Sequence, residues 1–329
     1  MNNKYGVKIL GTGSYFPEKI LTNADLVKIV ETSDEWITTR TGMKERHLSA
    51  KDEPTSDIAY KASIEALKAS NVKPEEIDLI IVATITPDML TPSTACFLQT
   101  KLGIKNIPVF DLSAACSGFV YALAVAKAFI EVGLYKTILL VGSEELAKFT
   151  DWTDRNTCIL FGDGAGAMVL RACNEPSDIL SVYLGADGAY AGLLDLPGGG
   201  TRNPATHDTV NEKMHAIKML GKDVFKAAVP KMVFAAEKAL EFAAKKLEDI
   251  KLFIPHQANM RILEAVAKKL EISMERVFVN LHKTGNISSA TTITALDEAI
   301  KTGRLVKGDL VELVVFGAGF TWGAAVIRV

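Results

Sequence analysis

Cysteine is scarce in this 329-residue chain, which has four: Cys96, Cys116, Cys158 and Cys173. They form no C-x-x-C pair and no Cys/His ligand spacing, so no metal site is expected. Thiols so sparse read as reduced side chains of a cytoplasmic protein. Long apolar runs are missing as well. None reaches the roughly 18 residues of a membrane span, and Met1–Leu10 lacks the apolar stretch of a signal peptide. No membrane partner is therefore expected. Nor is there a surplus of positive charge: 37 Lys and Arg against 39 Asp and Glu leave a formal charge of −2. Nucleic acid is excluded as a partner on that ground, and any anionic partner must be met by a local basic patch.

What is present is apolar residue in quantity, 48% of the chain, enough for a large core and more than one 150-residue domain. Short apolar runs alternate with longer amphipathic ones, the pattern of α/β architecture. Strands are expected at Val7–Gly11, Leu79–Ala83, Pro108–Leu112, Thr137–Val141, Ala167–Leu170, Leu180–Leu184, Leu252–Ile254, Val277–Val279 and Val311–Val315. Helices are expected at Thr55–Ser70, Ser117–Val132, Lys222–Lys246, Arg261–Leu270 and Thr291–Thr302, where apolar positions recur every three to four residues. The chain also resembles itself. Ile77–Val82 is echoed by Ile250–Pro255, Val109-Phe110 by Val277-Phe278, Ile138–Gly142 by Glu312–Gly317, and Leu10-Gly11 by Leu184-Gly185. The echoes keep their order at an offset of roughly 170 residues, as a duplicated α/β half would. The seam falls near Cys173–Asp178, dividing the chain into 1–175 and 176–329.

One cysteine stands apart. In Asp111-Leu112-Ser113-Ala114-Ala115-Cys116-Ser117-Gly118 an apolar strand gives way, through small residues, to an Ala-rich helix. A thiol at a helix N-terminus faces the positive end of the helix dipole and unpaired N–H groups, so a depressed pKa and a nucleophilic sulfur are expected. A buried small hydrophobe is the other reading of such a cysteine. His256, in Pro255-His256-Gln257-Ala258-Asn259, follows a strand at the end where ligand crevices form. Asn286, in Gly285-Asn286-Ile287-Ser288, starts another helix and takes in the second half the place of Cys116 in the first. Taken singly, a histidine or asparagine there also serves as a cap or a satisfied structural group.

These segments, with Thr32–Ile37, Arg40-Thr41-Gly42, Phe161–Gly166 and the closing Phe316–Gly323, together resemble β-ketoacyl-acyl-carrier-protein synthase III over essentially the whole chain. The resemblance implies a thiolase-like fold, two α/β halves stacked as an α-β-α-β-α sandwich. It implies a ping-pong Claisen condensation, with acyl-CoA as primer substrate, malonyl acyl carrier protein as extender, no cofactor, and a homodimer. Cys116 would carry the acyl group. Its own N–H and that of Gly319 would form an oxyanion hole. His256 and Asn286 would stabilise the enolate oxygen, a role that calls for a neutral imidazole with Nε2–H. For coenzyme A it implies Thr32, Trp36, Arg40, Arg155, Gly221, Phe225, Asn259 and Arg261. For the carrier protein it implies a patch of Lys222, Lys226, Arg261, Lys268 and Lys269. Thr91 matches a position that reaches the neighbour's acyl pocket.

The chain departs from the pattern at Thr284 and at Ala318, which replaces a common glycine. Three other functions share some of these features. A related acyltransferase of secondary metabolism would use the same triad. A cysteine hydrolase would share the order Cys, His, Asn but lacks the expected context before Cys116. A dinucleotide oxidoreductase rests only on Gly162–Gly166 and Leu196–Gly200, and neither run leads into a phosphate-cradling helix.

Overall fold

A computed structural model describes residues 4–329. Two sheets form its frame. The first orders its strands Gly6–Tyr15, Asp163–Cys173, Thr137–Glu145, Leu79–Ala83, Val109–Leu112. The second orders them Ile179–Ala186, Thr321–Arg328, Leu310–Gly317, Leu252–Pro255, and an isolated bridge from Phe253 to Val277 extends it at that edge. Position for position the two orders correspond, including which neighbours run parallel and which antiparallel.

Five layers result. Helices Gly118–Glu131 and Thr291–Lys301 lie between the sheets, and Phe119, Leu123, Ile293 and Leu296 pack there with Ile81, Leu140, Leu313 and Val315. Helix Thr55–Ser70 covers the outer face of the first sheet through Ile58, Ala62 and Ala66. Helices Gly221–Ala243 and Met260–Lys269 cover the outer face of the second through Ala228, Met232, Ala235 and Val266. Strands such as Leu79–Ala83, buried along their whole length, are apolar throughout because both faces are covered.

Several expectations shift by a few residues, and some fail outright. Thr55–Ser70 and Leu79–Ala83 fall where they were placed. Val277–Val279 makes a single bridge instead of a strand. The closing Phe316–Gly323 segment runs into a strand that was not expected, Thr321–Arg328, paired on both sides. The Gly162–Gly166 run lies mostly within a strand, Asp163–Cys173, which removes it as a nucleotide loop.

Candidate active site

The two central helices start beside each other. A methyl group added at Gly118 would fall 3.4 Å from Ser289 Cβ, so the turn bearing Cys116 abuts the turn bearing Asn286. Cys116 lies in a tight turn, Ala115–Ser117, just ahead of helix Gly118–Glu131. Ala115 there has φ +49°, a left-handed conformation that costs energy in a residue with a side chain and is found where function fixes the backbone. His256 directly follows strand Leu252–Pro255, its N–H held by the Val314 carbonyl at 2.7 Å. All three side chains line one cavity of about 1520 Å³, at the C-terminal ends of parallel strands where open α/β sheets place their ligands.

The loop after strand Leu310–Gly317 closes against the nucleophile turn. Gly317 has no room for a side chain, because a Cβ would lie 2.7 Å from Cys116 N. Gly319 has φ +135°, which favours glycine. Thr321 Oγ1 donates to the Ala114 carbonyl at 3.0 Å, and Ser117 Oγ donates to the Thr321 carbonyl at 3.2 Å. Among the described residues the N–H groups of Cys116 and Gly319 donate to no other residue. Unpaired donors of this kind can meet an oxyanion.

Asn286 is oriented by its neighbours. Its Oδ1 accepts the Ser288 N–H at 2.9 Å, which leaves Nδ2 as the end free to donate. His256 is 4% exposed, and burial pushes its pKa down to about 3, so the ring is neutral. Cys116 goes against expectation. Burial pushes its thiol up to about 12, and the Glu144 charge adds to the rise while the Ser288 hydroxyl opposes it. Desolvation is the largest influence on the sulfur and favours the protonated thiol.

The remaining expected residues divide into two groups. Trp36, Arg40, Gly221, Lys222, Phe225, Lys226, Asn259 and Arg261 line the same cavity. Trp36 carries the guanidinium of Arg40 at 4.8 Å and that of Arg155 at 4.7 Å from its ring centroid. Asn259 caps helix Met260–Lys269 by accepting the Arg261 N–H. Lys268 and Lys269 lie exposed in that helix's last turn, away from the cavity wall. Thr32 is on the loop before Trp36, also off the wall. Thr91 follows Leu90, which is 86% exposed, and does not line this chain's cavity. Thr291, Ser288 and Gln257 were not anticipated. Gln257 is fully buried, and its amide holds the Pro255 and Phe278 carbonyls and the Asn280 N–H, which rigidifies the turn carrying His256.

A family model described as 3-oxoacyl-(acyl-carrier-protein) synthase III matches residues 110–188, and the model of that synthase's C-terminal part matches residues 240–329. A β-ketoacyl-(acyl-carrier-protein) synthase III of Caldanaerobacter subterraneus subsp. tengcongensis is 52% identical, covering 100% of this chain and 99% of the relative. Among solved structures, the 3-oxoacyl-(acyl-carrier-protein) synthase III of Aquifex aeolicus VF5 superposes with a TM-score of 0.91 at 48% identity, covering 98% of this chain and 100% of that one. The priming β-ketosynthase of the R1128 polyketide biosynthetic pathway reaches 0.92 at 34% identity, covering 100% and 98%.

Proposed function

The chain belongs to the 3-oxoacyl-acyl-carrier-protein synthase III family, and from that premise we propose how its residues divide the work. As a member it is an acyltransferase, a condensing enzyme of fatty acid biosynthesis that takes acyl-CoA and an acyl carrier protein as substrates.

In the first half-reaction Cys116 Sγ attacks the acyl-CoA carbonyl carbon. The oxygen takes up negative charge against the N–H groups of Cys116 and Gly319, the CoA–sulfur bond breaks, and the thiol proton leaves with CoA. In the second, malonyl carrier protein loses carbon dioxide, and its thioester oxygen becomes enolate-like. Asn286 Nδ2 and His256 Nε2–H donate to that oxygen. The enolate carbon then attacks the acyl-Cys116 carbonyl, the carbon–sulfur bond to Cys116 breaks, and the departing thiolate takes up one proton from solvent. Asn286 has no basic lone pair at Nδ2 and acts by hydrogen bonding alone. A neutral His256 does not quench the enolate by giving up its proton.

The observation that carries this reading is the convergence of an unpaired pair of backbone donors, one amide and one neutral imidazole on the cavity that holds the cysteine. For coenzyme A, the adenine inserts at Trp36, where Arg40 and Arg155 supply guanidinium faces. Gly221, Phe225, Asn259 and Arg261 line the way inward, and Thr32 approaches coenzyme A from the loop before Trp36, outside that wall. Lys222, Lys226, Arg261, Lys268 and Lys269 receive the acidic carrier protein. The exposed loop at Leu90 and Thr91 meets a second copy and completes its acyl pocket, making a homodimer. No described helix is long and apolar enough to cross a membrane, and we place the enzyme in the cytoplasm with its substrates. The reaction scheme draws on no cofactor. Residues 1–175 and 176–329 act as the two halves, one giving the nucleophile and the other the donors.

Purified protein given acetyl-, butyryl- and branched acyl-CoA with malonyl carrier protein should release carbon dioxide and form 3-oxoacyl carrier protein. Thioester hydrolysis without a new carbon–carbon bond would refute the scheme. The likeness to a priming ketosynthase of a polyketide biosynthetic pathway supports a second reading, an acyltransferase of secondary metabolism that uses the same triad with a different primer. The same panel separates the two by primer preference.

A further inference from the structure

His256 is neutral, so its ring carries one proton, and the partner of Nδ1 decides which nitrogen holds it. That partner is Thr291 Oγ1, at 2.7 Å. A carbonyl or carboxylate in this place would compel Nδ1–H and leave Nε2 a bare lone pair. A hydroxyl can donate instead.

The hydroxyl proton has a second possible destination, the Ser288 carbonyl, 2.9 Å from Oγ1. Two features direct the proton to the ring. The Ser288 carbonyl already accepts the Thr291 backbone N–H, whereas among the described residues Nδ1 has no partner but Oγ1.

We propose that Thr291 is a positioning residue whose hydroxyl donates to His256 Nδ1 and thereby holds the ring with its proton on Nε2, pointed at the reacting thioester. The inference deepens the functional reading and rests on it for the role of Nε2–H. Thr291 touches no reacting atom. It begins helix Thr291–Lys301, five residues after Asn286. One short segment therefore supplies one donor directly and sets the other through Nδ1.

Nitrogen NMR of protein labelled with 15N-histidine tests this without substrate. The chain has five histidines, and the His256 signals are identified by their loss in His256→Gln. The wild-type spectrum should show Nε2 protonated and Nδ1 bare. Thr291→Val, which keeps the shape but removes the hydroxyl, should give a mixture of tautomers. It should also slow condensation by about 10- to 100-fold, as for other groups that orient an imidazole through its far nitrogen, while acylation of Cys116 by acyl-CoA changes much less. Thr291→Ser should restore both the spectrum and the rate.

A bare Nε2 in the wild type would overturn the proposal. So would a Thr291→Val protein with the wild-type spectrum and the wild-type ratio of condensation to acylation. If wild-type protein shows protonated Nε2 yet no condensation with any primer, it is the functional reading that fails, and the hydrogen bond stands.

Discussion

At pH 8 the Cys116 thiol, pushed up to about 12 by burial, holds roughly one thiolate in ten thousand molecules, four pH units below its midpoint. The opposing influence is helix Gly118–Glu131, which begins two residues after Cys116. Such a terminus contributes at most about 2 kcal/mol, or about 1.5 pH units at 1.36 kcal/mol per unit. The thiol starts from an ordinary value of 9.0, so burial raises it by more than the helix can lower it. The bimolecular rate of Cys116 alkylation by iodoacetamide should therefore rise about tenfold per pH unit from pH 7 to pH 9, without levelling. Peptide mapping separates Cys116 from half-buried Cys96 and Cys173, and Cys116→Ala sets the background. A plateau reached below pH 8 would refute the reasoning, because it would show the thiolate already formed in the resting enzyme.

Asn286→Ala removes one enolate donor and should lower condensation by about 10²- to 10³-fold. Acyl-enzyme should still form at nearly the native rate in a stopped assay, and an equal loss in both halves would contradict the assigned role. Trp36→Ala should raise the KM for acyl-CoA by roughly 5- to 150-fold, since stacking on a base is worth about 1–3 kcal/mol. The KM for an acyl-pantetheine without adenine should stay as it was, and a parallel loss would remove Trp36 from adenine binding. Glu312 is fully buried and neither carboxylate oxygen has a partner among the described residues, so burial holds its pKa well above the usual carboxylate range. The folded state then keeps the proton better than the unfolded one. Stability from this group is full below the ordinary glutamate pKa and declines as pH rises toward the raised value, by up to about 1.36 kcal/mol per unit. Thermal melts of Glu312→Leu should lack that decline and lie above wild type at pH 8. Parallel melting profiles would count against it.

Much of the fold was written in periodicity. Helix Thr55–Ser70 and strand Leu79–Ala83 were legible because one shows a single apolar face and the other is apolar on both. The repeat was legible because strands at matching places in the two sheets carry similar apolar runs, as in Ile77–Val82 and Ile250–Pro255. Strand Thr321–Arg328 was hidden by the glycine-rich run that leads into it. Helix Gly221–Ala243 was recognised although Pro230 interrupts its hydrogen bonding. Thr291 could not be found from sequence. A threonine at a helix start is ordinary, and its importance depends on His256, 35 residues away, being brought within 2.7 Å. The thiol's high pKa was missed for a related reason: sequence shows the helix that would lower it but not the burial that raises it.

The central claim, that Cys116 carries the acyl group between the two half-reactions, is tested most directly by intact-protein and peptide mass spectrometry. The protein is incubated with an acyl-CoA before any malonyl carrier protein is added. The account predicts a mass increase of one acyl group, confined to the peptide holding Cys116, lost when malonyl carrier protein is supplied and absent from Cys116→Ala. Condensation proceeding with no acyl adduct on Cys116, or with the adduct on another residue, would contradict it.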